Sequence, residues 1–281
     1  MSSSDSGKDQ HHQPRPKMDK ARGKQKAESK RGDEPVGQAE PVRPAAHRSS
    51  NRNEANNGVT LVQRYPLFSG ISSADCKEIV SAAHLKEFSR RQTVFFQGDP
   101  IRQILLLTAG CVKITQVGSN GTEVILRLSG PGELIGAAGL GLLCNHCSTA
   151  QALQFSTALA WDAGAFELLS RRFPTLRRNI AHILDERLQQ LEERFSEICT
   201  QKVAPRLGRE IVRLLSQVGR RVNGFVEIHL SREELGQLTG TTLFTVCRLL
   251  SQWEQQGIVS TRRETVMVHN LQALKELSES E

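Results

Sequence analysis

Short apolar runs separated by glycine-containing turns follow a helix predicted over Ala74–Ala83. The runs with strand character are Thr93–Phe96, Ile104–Leu107, Cys111–Ile114 and Glu123–Leu128, with a further β-rich stretch over Ala150–Trp161. Asn120-Gly121 lies between two of these runs and favours a hairpin, since both residues tolerate the positive φ of a tight turn. Short strands at regular spacing predict a small antiparallel β-roll or barrel.

After Pro174 the apolar positions change to a helical period. Their spacing of 3, 4, 3, 4 and 3 residues forms a narrow stripe that consists of Ala181, Leu184, Leu188, Leu191, Phe195 and Ile198. Charged and amide side chains fill much of the remaining helix surface. Such a stripe favours coiled-coil pairing with a second copy of the chain, and the alternative is a helix packed on its own β domain. We expect a homodimer interface at Leu184, Leu188, Leu191, Phe195 and Ile198.

The next segment carries the pattern of two helices joined by a tight turn. Ser231-Arg232-Glu233-Glu234 has the form of a capping box, and the short helix that it opens ends at Gly240. Thr241 or Thr242 caps the second helix. The predicted buried stripe of this second helix consists of Val246, Leu249, Leu250 and Trp253.

A two-stranded wing is predicted after the second helix, from Ile258 to Val268, and Asn270 caps a closing helix. Two helices with a glycine turn and a following hairpin predict a winged helix–turn–helix, whose second helix enters the DNA major groove. Residues 201–270 hold ten Lys and Arg against six Asp and Glu, a net charge of +4. This local charge suits contacts with DNA phosphates.

The first 58 residues differ in composition from the rest of the chain. They contain no aromatic residue and five of the ten prolines, and twelve basic residues against eight acidic ones give +4 of the chain's net +7. Such a segment cannot bury enough apolar surface to offset its ordering entropy, so we expect a disordered tail. A solvated extension is favoured over a basic arm that adds non-specific affinity for nucleic acid.

The predicted fold class is α+β, with four segments. They are a disordered basic tail (1–58), an antiparallel β-roll sensor domain (59–172), a dimerisation helix (173–203) and a winged helix–turn–helix (204–281). No run approaches the roughly 18 apolar residues of a membrane span, and the first residues lack the apolar core of a secretory signal. The six cysteines therefore suggest reduced thiols in the cytoplasm. No P-loop, dinucleotide fingerprint, G-x-S-x-G or H-E-x-x-H motif is present, which argues against an enzyme.

The order of β-roll, long helix and winged helix resembles the Crp/Fnr family of bacterial transcription regulators over about residues 62–278. The motifs that carry the resemblance are Phe96-Gln97-Gly98-Asp99, Ala109-Gly110-Cys111-Val112-Lys113, Gly130-Pro131-Gly132-Glu133-Leu134-Ile135-Gly136, Leu230-Ser231-Arg232-Glu233-Glu234-Leu235-Gly236 and Thr245-Val246-Cys247-Arg248-Leu249-Leu250. The resemblance implies a homodimer on a two-fold symmetric promoter site, contact with RNA polymerase, and an effector that acts through the β-roll.

The resemblance also implies the DNA contacts. Arg248 would bind a guanine through O6 and N7, Ser231 and Arg232 would hold phosphates, and Thr242 and Thr245 would contact the backbone or base edges. The family commonly places a Glu where this chain has Phe244. The pair Leu243-Phe244 offers apolar contact instead, for example with a thymine methyl group, so we expect a half-site different from those of the founding members.

The effector pocket departs from the cyclic-nucleotide pattern of the family. Aligned on Gly132 to Gly139, the position of the acid that binds ribose falls on Ala137. The position of the arginine that holds the cyclic phosphate falls on Cys147, followed by Ser148 and Thr149. A thiol cannot replace a guanidinium as a bidentate phosphate donor, so we expect an effector other than cyclic AMP.

The same loop holds Cys144, His146 and Cys147, which could bind a metal or haem or form a reversible disulfide. The alternative, that these cysteines have no role in sensing, is favoured. Residues 1–75 contain no cysteine, so the N-terminal iron–sulfur cluster of the oxygen-sensing branch is not supported. The other cysteines, Cys76, Cys111, Cys199 and Cys247, are expected to be small core or surface thiols. A competing function is a regulatory subunit whose β-roll controls a partner enzyme.

Overall fold

The computed structural model describes residues 62–136, 145–222 and 224–279. They form an antiparallel β-roll, one long helix and a C-terminal winged helix–turn–helix, so the predicted α+β fold class is confirmed. The tail predicted to be disordered, residues 1–58, lies outside the described residues. In the part of the chain that is described, no helix has the length and apolar character needed to cross a membrane.

The helices are α1 (Ser73–Ser81), α2 (Ala163–Arg172), α3 (Pro174–Thr200), α4 (Val203–Gln217), α5 (Arg232–Thr239), α6 (Leu243–Gln255) and α7 (Leu271–Glu279), with a 3-10 turn at Pro66–Phe68. The strands of the roll are β1 (His84–Phe88), β2 (Thr93–Phe95), β3 (Gln103–Ala109), β4 (Val112–Val117), β5 (Glu123–Ser129), β6 (Leu134–Ile135), β7 (Thr149–Ala152) and β8 (Ser156–Asp162). The strands of the C-terminal module are β9 (Arg220–Val222), β10 (Phe225–Ile228), β11 (Val259–Arg262) and β12 (Thr265–Val268).

Two four-stranded antiparallel sheets build the roll, in the strand orders β1-β8-β3-β6 and β2-β7-β4-β5. Their facing side chains form a buried core of small and branched residues, among them Leu105, Leu107, Ile114 and Ala160. The hairpin predicted at Asn120-Gly121 joins β4 to β5, and Gly121 adopts a φ of +79°. Glycine turns and alternating burial therefore close the roll as the sequence pattern predicts.

A second core covers the outer face of the β1-β8-β3-β6 sheet. Trp161 of β8 is fully buried there, and its indole Nε1 donates a hydrogen bond of 2.7 Å to the Ile79 carbonyl in α1. The first turns of α3 belong to this core through Leu176 and Ile180. Asn179 fixes the same turns, because its Nδ2 donates to the carbonyls of Leu67 and Ser69.

Strand β1 was not predicted, and the structure shows why. Its residues His84, Leu85 and Glu87 are exposed, so the strand has no apolar run, and only Phe88 is buried. Pairing with β8 over five residues holds β1 in the sheet. Backbone hydrogen bonds across a sheet edge thus create a strand that side-chain periodicity does not indicate.

The winged module confirms the predicted local signals. The Ser231 hydroxyl accepts the Glu234 amide while the Glu234 carboxylate accepts the Ser231 amide, which completes the capping box of α5. Gly240 ends α5 in the left-handed region at φ +60°, and Thr242 caps α6. The stripe Val246, Leu249, Leu250 and Trp253 is buried, and Asn270 Oδ1 accepts the Ala273 amide at the start of α7.

The core of the winged module continues into the β-roll. Cys111, Ile125 and Leu128 of the roll are buried in the same cluster as the apolar faces of α4, α5 and α6. Burial raises the pKa of the Cys111 thiol to about 12, which is consistent with a packing role for this cysteine. The two folded parts of the chain therefore share an apolar contact.

Gly110 provides a test of the roll's closure. At its φ of +94°, an added Cβ would lie 2.5 Å from the Ser156 Cα atom, so the backbone would have to move. We expect Gly110→Ala to lower the free energy of unfolding by about 3 kcal/mol or more, from strain and overpacking together. Urea denaturation followed by circular dichroism measures this loss.

Gly121→Ala is the matched control, because Gly121 also has a positive φ but nothing lies within 4 Å of its added Cβ. It should cost only about 1 kcal/mol, from backbone strain alone. Equal losses in the two variants would contradict the steric explanation.

Candidate nucleic-acid interface and effector pocket

The first turn of α6 presents its side chains to solvent. Phe244 is 84% exposed and Leu243 is 43% exposed, although both are apolar. Thr242 caps the helix through a 3.2 Å hydrogen bond that its Oγ1 accepts from the Thr245 amide. Arg248, one turn further on, is exposed, and its guanidinium makes no hydrogen bond or ion pair with any described residue. These five residues thus form a surface with apolar, hydroxyl and guanidinium groups in reach of one another.

The opposite face of α6 fixes this orientation. Val246, Leu250 and Trp253 are almost fully buried against α4, α5 and the wing. When one face of a helix packs in a core, its other face is exposed to solvent. The structure therefore brings five of the seven predicted DNA-contacting residues, Thr242 to Thr245 and Arg248, together on one exposed surface.

The other two, Ser231 and Arg232, are half-buried in the structure. The Ser231 hydroxyl is engaged in the capping box, and Arg232 Nη2 donates a 2.6 Å hydrogen bond to Thr261 Oγ1 of the wing. Ser231 also lines a cleft between the winged module and the β-roll. Phosphates could reach the α6 surface in this arrangement, but Ser231 faces the chain's own β-roll.

A cavity of about 520 Å³ lies between the β-roll and α3. Its apolar wall includes Ile114, Leu126 and Leu128 from the roll and Leu184 and Leu191 from α3. Arg127, Glu133, Arg187 and Arg194 add polar groups to the same wall. The cavity thus combines an apolar lining with a cluster of guanidinium groups, as in pockets that hold a small organic ligand.

Two of these guanidiniums differ in their partners. Arg127 Nη1 lies 3.2 Å from Glu133 Oε2, whereas Arg187 donates to the carbonyl of Leu134. Burial, together with the charge of Arg127, lowers the pKa of Arg187 to about 10, and Glu133 opposes this shift. Burial also lowers the pKa of Arg127. Arg187 thus has no ion-pair partner among the described residues, although Glu186 of α3 also lines the cavity.

The predicted pocket residues lie partly in this cavity. Gly136, Cys147 and Ser148 line it, whereas Thr149 Oγ1 accepts a 3.0 Å hydrogen bond from the Gln97 amide and is not part of the lining. Ala137 lies outside the described residues. Arg127, Glu133 and Arg187 were missed, because Arg and Glu on a half-polar strand or helix look like ordinary surface residues until the tertiary fold brings them together.

The redox and metal candidates are only partly described. His146 is buried, and its ring stacks on Phe95 with centroids 3.7 Å apart and planes 8° from parallel. Burial lowers the pKa of His146, with an opposing effect of Asp99, which favours the neutral ring. Cys147 is an exposed free thiol, and Cys144 lies outside the described residues. Among residues that are described, no three His, Cys, Asp or Glu side chains lie close enough to hold a metal ion.

A buried network of charges joins α3 to α4. Glu210 of α4 is only 3% exposed and accepts hydrogen bonds from Arg194 of α3 at 2.5 Å and from Arg213 at 3.2 Å. Glu197 of α3 accepts from Arg213 and Arg209. Burial alone would raise the pKa of Glu197, but the hydrogen bonds and charges of Arg213 and Arg209 outweigh it and lower the pKa.

Arg194 connects this network to the cavity. Its Nη1 donates a 2.7 Å hydrogen bond to the Leu126 carbonyl of β5, and its side chain lines the cavity. A ligand that displaced Arg194 would therefore act directly on the contact between α3 and α4.

The predicted dimer stripe is largely exposed. Leu188, Leu191, Phe195 and Ile198 are 54%, 53%, 68% and 46% exposed. Leu184 differs, because it is half-buried and packs against the core that covers the outer sheet of the roll. The first half of α3 thus packs on the chain's own β domain, the alternative considered from the sequence, and the second half leaves its apolar face uncovered.

Two protein-family models match the chain. A cyclic nucleotide-binding domain matches residues 85–173, and a Crp-like helix-turn-helix domain matches residues 205–277. The "Anaerobic regulatory protein" of Pasteurella multocida is 27% identical over 195 residues, which cover 69% of this chain and 71% of that protein. The "Cyclic AMP receptor protein" of Thermus thermophilus is 27% identical over 214 residues, which cover 76% of this chain and 96% of that protein.

Solved structures share the fold. FixK2 from Bradyrhizobium japonicum superposes with a TM-score of 0.63 at 20% identity, covering 71% of this chain and 98% of that chain. A transcriptional regulator of the CRP/FNR family from Thermus thermophilus superposes with a TM-score of 0.61 at 20% identity, covering 70% of this chain and 99% of that chain. The arrangement of β-roll, long helix and winged helix is therefore common to these proteins and the present chain.

Proposed function

Because the chain belongs to the Crp/Fnr family of bacterial transcription regulators, we propose that it binds a two-fold symmetric DNA site as a homodimer. An effector in the cavity beside α3 controls its affinity for DNA. The observation that carries this proposal is the exposed first turn of α6, which presents a base-reading set of side chains on a module of positive net charge. We expect RNA polymerase as a partner. Which gene is regulated, and whether it is activated or repressed, depends on where the DNA site lies relative to the polymerase.

The chemistry of the α6 surface indicates what it reads. The planar guanidinium of Arg248 suits bidentate bonding to guanine O6 and N7 in the major groove. Phe244 has no polar atom and gains free energy by covering a thymine methyl group. The two residues lie four positions apart on one helix, so they face the same groove at neighbouring base pairs.

Substitutions of Arg248 and Phe244 test separately the affinity for DNA and the preference for particular bases. Arg248→Ala should abolish the specific DNase I footprint and weaken specific binding about ten- to hundredfold, since a bidentate base contact is worth about 1–3 kcal/mol. Phe244→Glu should keep a footprint but change the selected base, because a carboxylate accepts from cytosine N4. Random-site selection followed by footprinting measures both effects.

Arg177→Ala is the control, since Arg177 is an exposed arginine of α3 outside the DNA-facing module. It should leave the selected motif unchanged. The same selected motif for wild type and both α6 variants would contradict the proposed readout. A wild-type DNA affinity that does not fall with salt would contradict DNA binding itself and favour the alternative, a regulatory subunit that controls a partner enzyme.

The exposed stripe on α3 supports the homodimer. Large apolar side chains recur at Leu188, Leu191, Phe195 and Ile198, and each leaves roughly half or more of its surface in water. Pairing two such helices would bury this surface, and apolar burial is worth about 25 cal/mol per Å². Two-fold pairing of α3 would also place two α6 helices on one face of DNA, as a palindromic site requires.

Charges within the stripe should dissociate the dimer. The double variant Leu188→Glu with Phe195→Glu should sediment as a monomer at concentrations where the wild type sediments as a dimer, because four carboxylates would meet in the paired seam. The control is Gln189→Glu with Ser196→Glu, which adds the same charge at exposed positions beside the stripe. A dimeric stripe variant, or an equally monomeric control, would contradict pairing through α3.

The cavity supports an effector other than cyclic AMP. Neither Ala137 nor Cys147 can supply the carboxylate and guanidinium that the cyclic-nucleotide pattern requires. Arg127 and Arg187 instead place two guanidiniums beside an apolar wall; Arg127 pairs with Glu133, whereas Arg187 forms no ion pair with a described residue, and Glu186 lies in the same lining. We therefore propose that the effector is an organic anion with an apolar body.

A matched pair of fluorescent probes tests this charge preference. Anilinonaphthalene sulfonate carries an anionic group that its neutral analogue, N-phenylnaphthylamine, lacks. Arg127→Gln and Arg187→Gln should each weaken sulfonate binding about tenfold, the value of one charge-assisted contact, and leave the neutral probe unaffected. Arg171→Gln removes an exposed arginine of α2 and serves as the control. Equal losses for both probes, or tight binding of cyclic AMP by calorimetry, would contradict the proposal.

Regulated DNA binding requires the compartment that holds the chromosome, so we expect the protein in the cytoplasm. The relatives named above are a regulatory protein and a receptor protein. We propose a regulatory, non-enzymatic function for this chain on that ground.

A further inference from the structure

A polar cleft of about 580 Å³ separates the winged module from the chain's own β-roll. The charged lining from the roll is Arg90, Arg91, Lys113 and Glu123, and that from the module is Arg220, Glu233, Glu234 and Glu264. The roll side is therefore net positive and the module side net negative. Gln237 Oε1 of α5 is buried beside this cleft and makes no hydrogen bond to a described residue. The docked arrangement therefore carries a polar cost that undocking would relieve.

One carboxylate of the wing spans this cleft. Glu264 lies in the turn between β11 and β12, and both of its oxygens pair with the roll. Oε2 accepts from Arg90 Nη2, and Oε1 lies 3.2 Å from Arg91 Nη2. The hydrogen bond and charge of Arg90, with further charge from Arg91 and Arg263, lower the pKa of Glu264, so the carboxylate remains charged.

The turn that carries the two arginines is held by its own hydrogen bonds. Arg91 adopts a φ of +67°, a conformation that is strained for a residue with a Cβ. Its amide donates to the Ala152 carbonyl at 2.7 Å, and its carbonyl accepts from Gln151 Nε2 at 3.1 Å. Arg90 Nε donates to the Leu153 carbonyl at 3.2 Å. These bonds fix the backbone of Arg91 and the guanidinium of Arg90 on the roll.

The same docking places the start of α5 against the roll. Ser231, at the start of α5, lines this cleft, and the wing turn is tied to the roll through Glu264. A bound duplex needs both the α5 N-terminus and the wing free to approach its backbone. The α6 surface and the wing residues Arg262 and Arg263 are exposed in the docked state, whereas Ser231 faces the roll and the wing turn is held in place by Glu264.

We propose that Arg90 and Arg91 form an autoinhibitory latch on the wing residue Glu264, which holds the wing turn and the start of α5 against the β-roll until DNA or an effector releases them. Both ion pairs are largely exposed, and exposed ion pairs contribute little individually and weaken with salt. The latch is therefore shallow and reversible, and its removal changes DNA affinity by a moderate factor. This inference rests on the proposed DNA binding.

The direction of the change in DNA affinity distinguishes the latch from simple attraction between positive side chains and DNA phosphates. Arg90→Gln with Arg91→Gln removes two positive charges, which by phosphate electrostatics alone should weaken DNA binding. With a latch, the same variant should bind its site about three- to tenfold more tightly at low salt, and the gain should shrink as salt screens the wild-type pairs. Fluorescence anisotropy with a labelled duplex measures both affinities.

Arg171→Gln with Arg172→Gln is the matched control. These neighbouring arginines of α2 are exposed and paired with Glu167 and Glu78, so the control loses the same charge and similar ion pairs on another face of the roll. It should bind DNA as well as, or slightly less well than, the wild type. A latch variant that binds no more tightly than this control overturns the proposal.

A charge reversal provides an independent check. Glu264→Arg alone, and Arg90→Glu with Arg91→Glu alone, each break the latch, whereas the triple variant restores it with opposite signs. If the two separate changes acted independently, their effects on DNA affinity would multiply in the triple variant. Because the triple variant restores the latch, its gain in affinity should be about tenfold or more smaller than that product. If the two separate effects on DNA affinity simply multiply in the triple variant, the latch proposal is wrong.

Hydrogen–deuterium exchange without DNA separates the latch from the proposed function. In Arg90→Gln with Arg91→Gln, amides of the wing turn and of the first turn of α5 should exchange faster than in the control variant. If no form of the protein binds DNA but exchange rises as expected, the latch stands and the proposed function fails. If exchange and DNA affinity both match the control, the latch fails and DNA binding is unaffected.

Discussion

Burial of one side of strand β5 is the constraint on which the remaining architecture depends. Ile125 and Leu128 are almost completely buried under the helices of the winged module, while Leu126, Arg127 and Leu128 form part of the cavity wall. Leu128 belongs to both sets. Because cores are close-packed, a ligand that shifts this strand by a fraction of an ångström must also shift the surface on which the DNA-facing module rests.

Electrostatics divides the contacts of the winged module into two kinds. Glu197 and Glu210 are buried, and each is bound by two arginines, so breaking these pairs would leave a charge in a poorly solvated place. The contacts of Glu264 are exposed and cost little to break. The ion pairs at the junction between α3 and α4 therefore cost more to break than those of the wing turn.

The sequence predicts well the features that depend on neighbouring residues. The capping box at Ser231, the left-handed Gly240 and the Thr242 cap follow from side chains within four positions, and all are present in the structure. Strand β1 was missed because it is stabilised by backbone pairing with β8 rather than by an apolar pattern. The helical period of α3 was correct, but the period alone could not show that Leu184 faces the chain's own roll.

The cavity was harder to predict for a physical reason. Arg127 and Arg187 are sixty positions apart, and nothing local to either residue indicates that the fold places both on one cavity. Of the pocket and redox candidates, Ala137 and Cys144 lie outside the described residues. The chemistry of this pocket thus depends on charged side chains that are far apart in the sequence, and a short sequence motif identifies only some of them.

If the first turn of α6 reads DNA as proposed, the exposed ring of Phe244 has a thermodynamic consequence. A protein that relies on lysine and arginine alone releases counterions on binding, so its affinity follows the ionic strength of the cell. A buried aromatic contact adds a contribution that salt hardly changes and that carries a negative heat capacity of association. A regulator with this side chain at its reading surface would keep more of its discrimination between sites when osmotic stress raises the intracellular salt concentration.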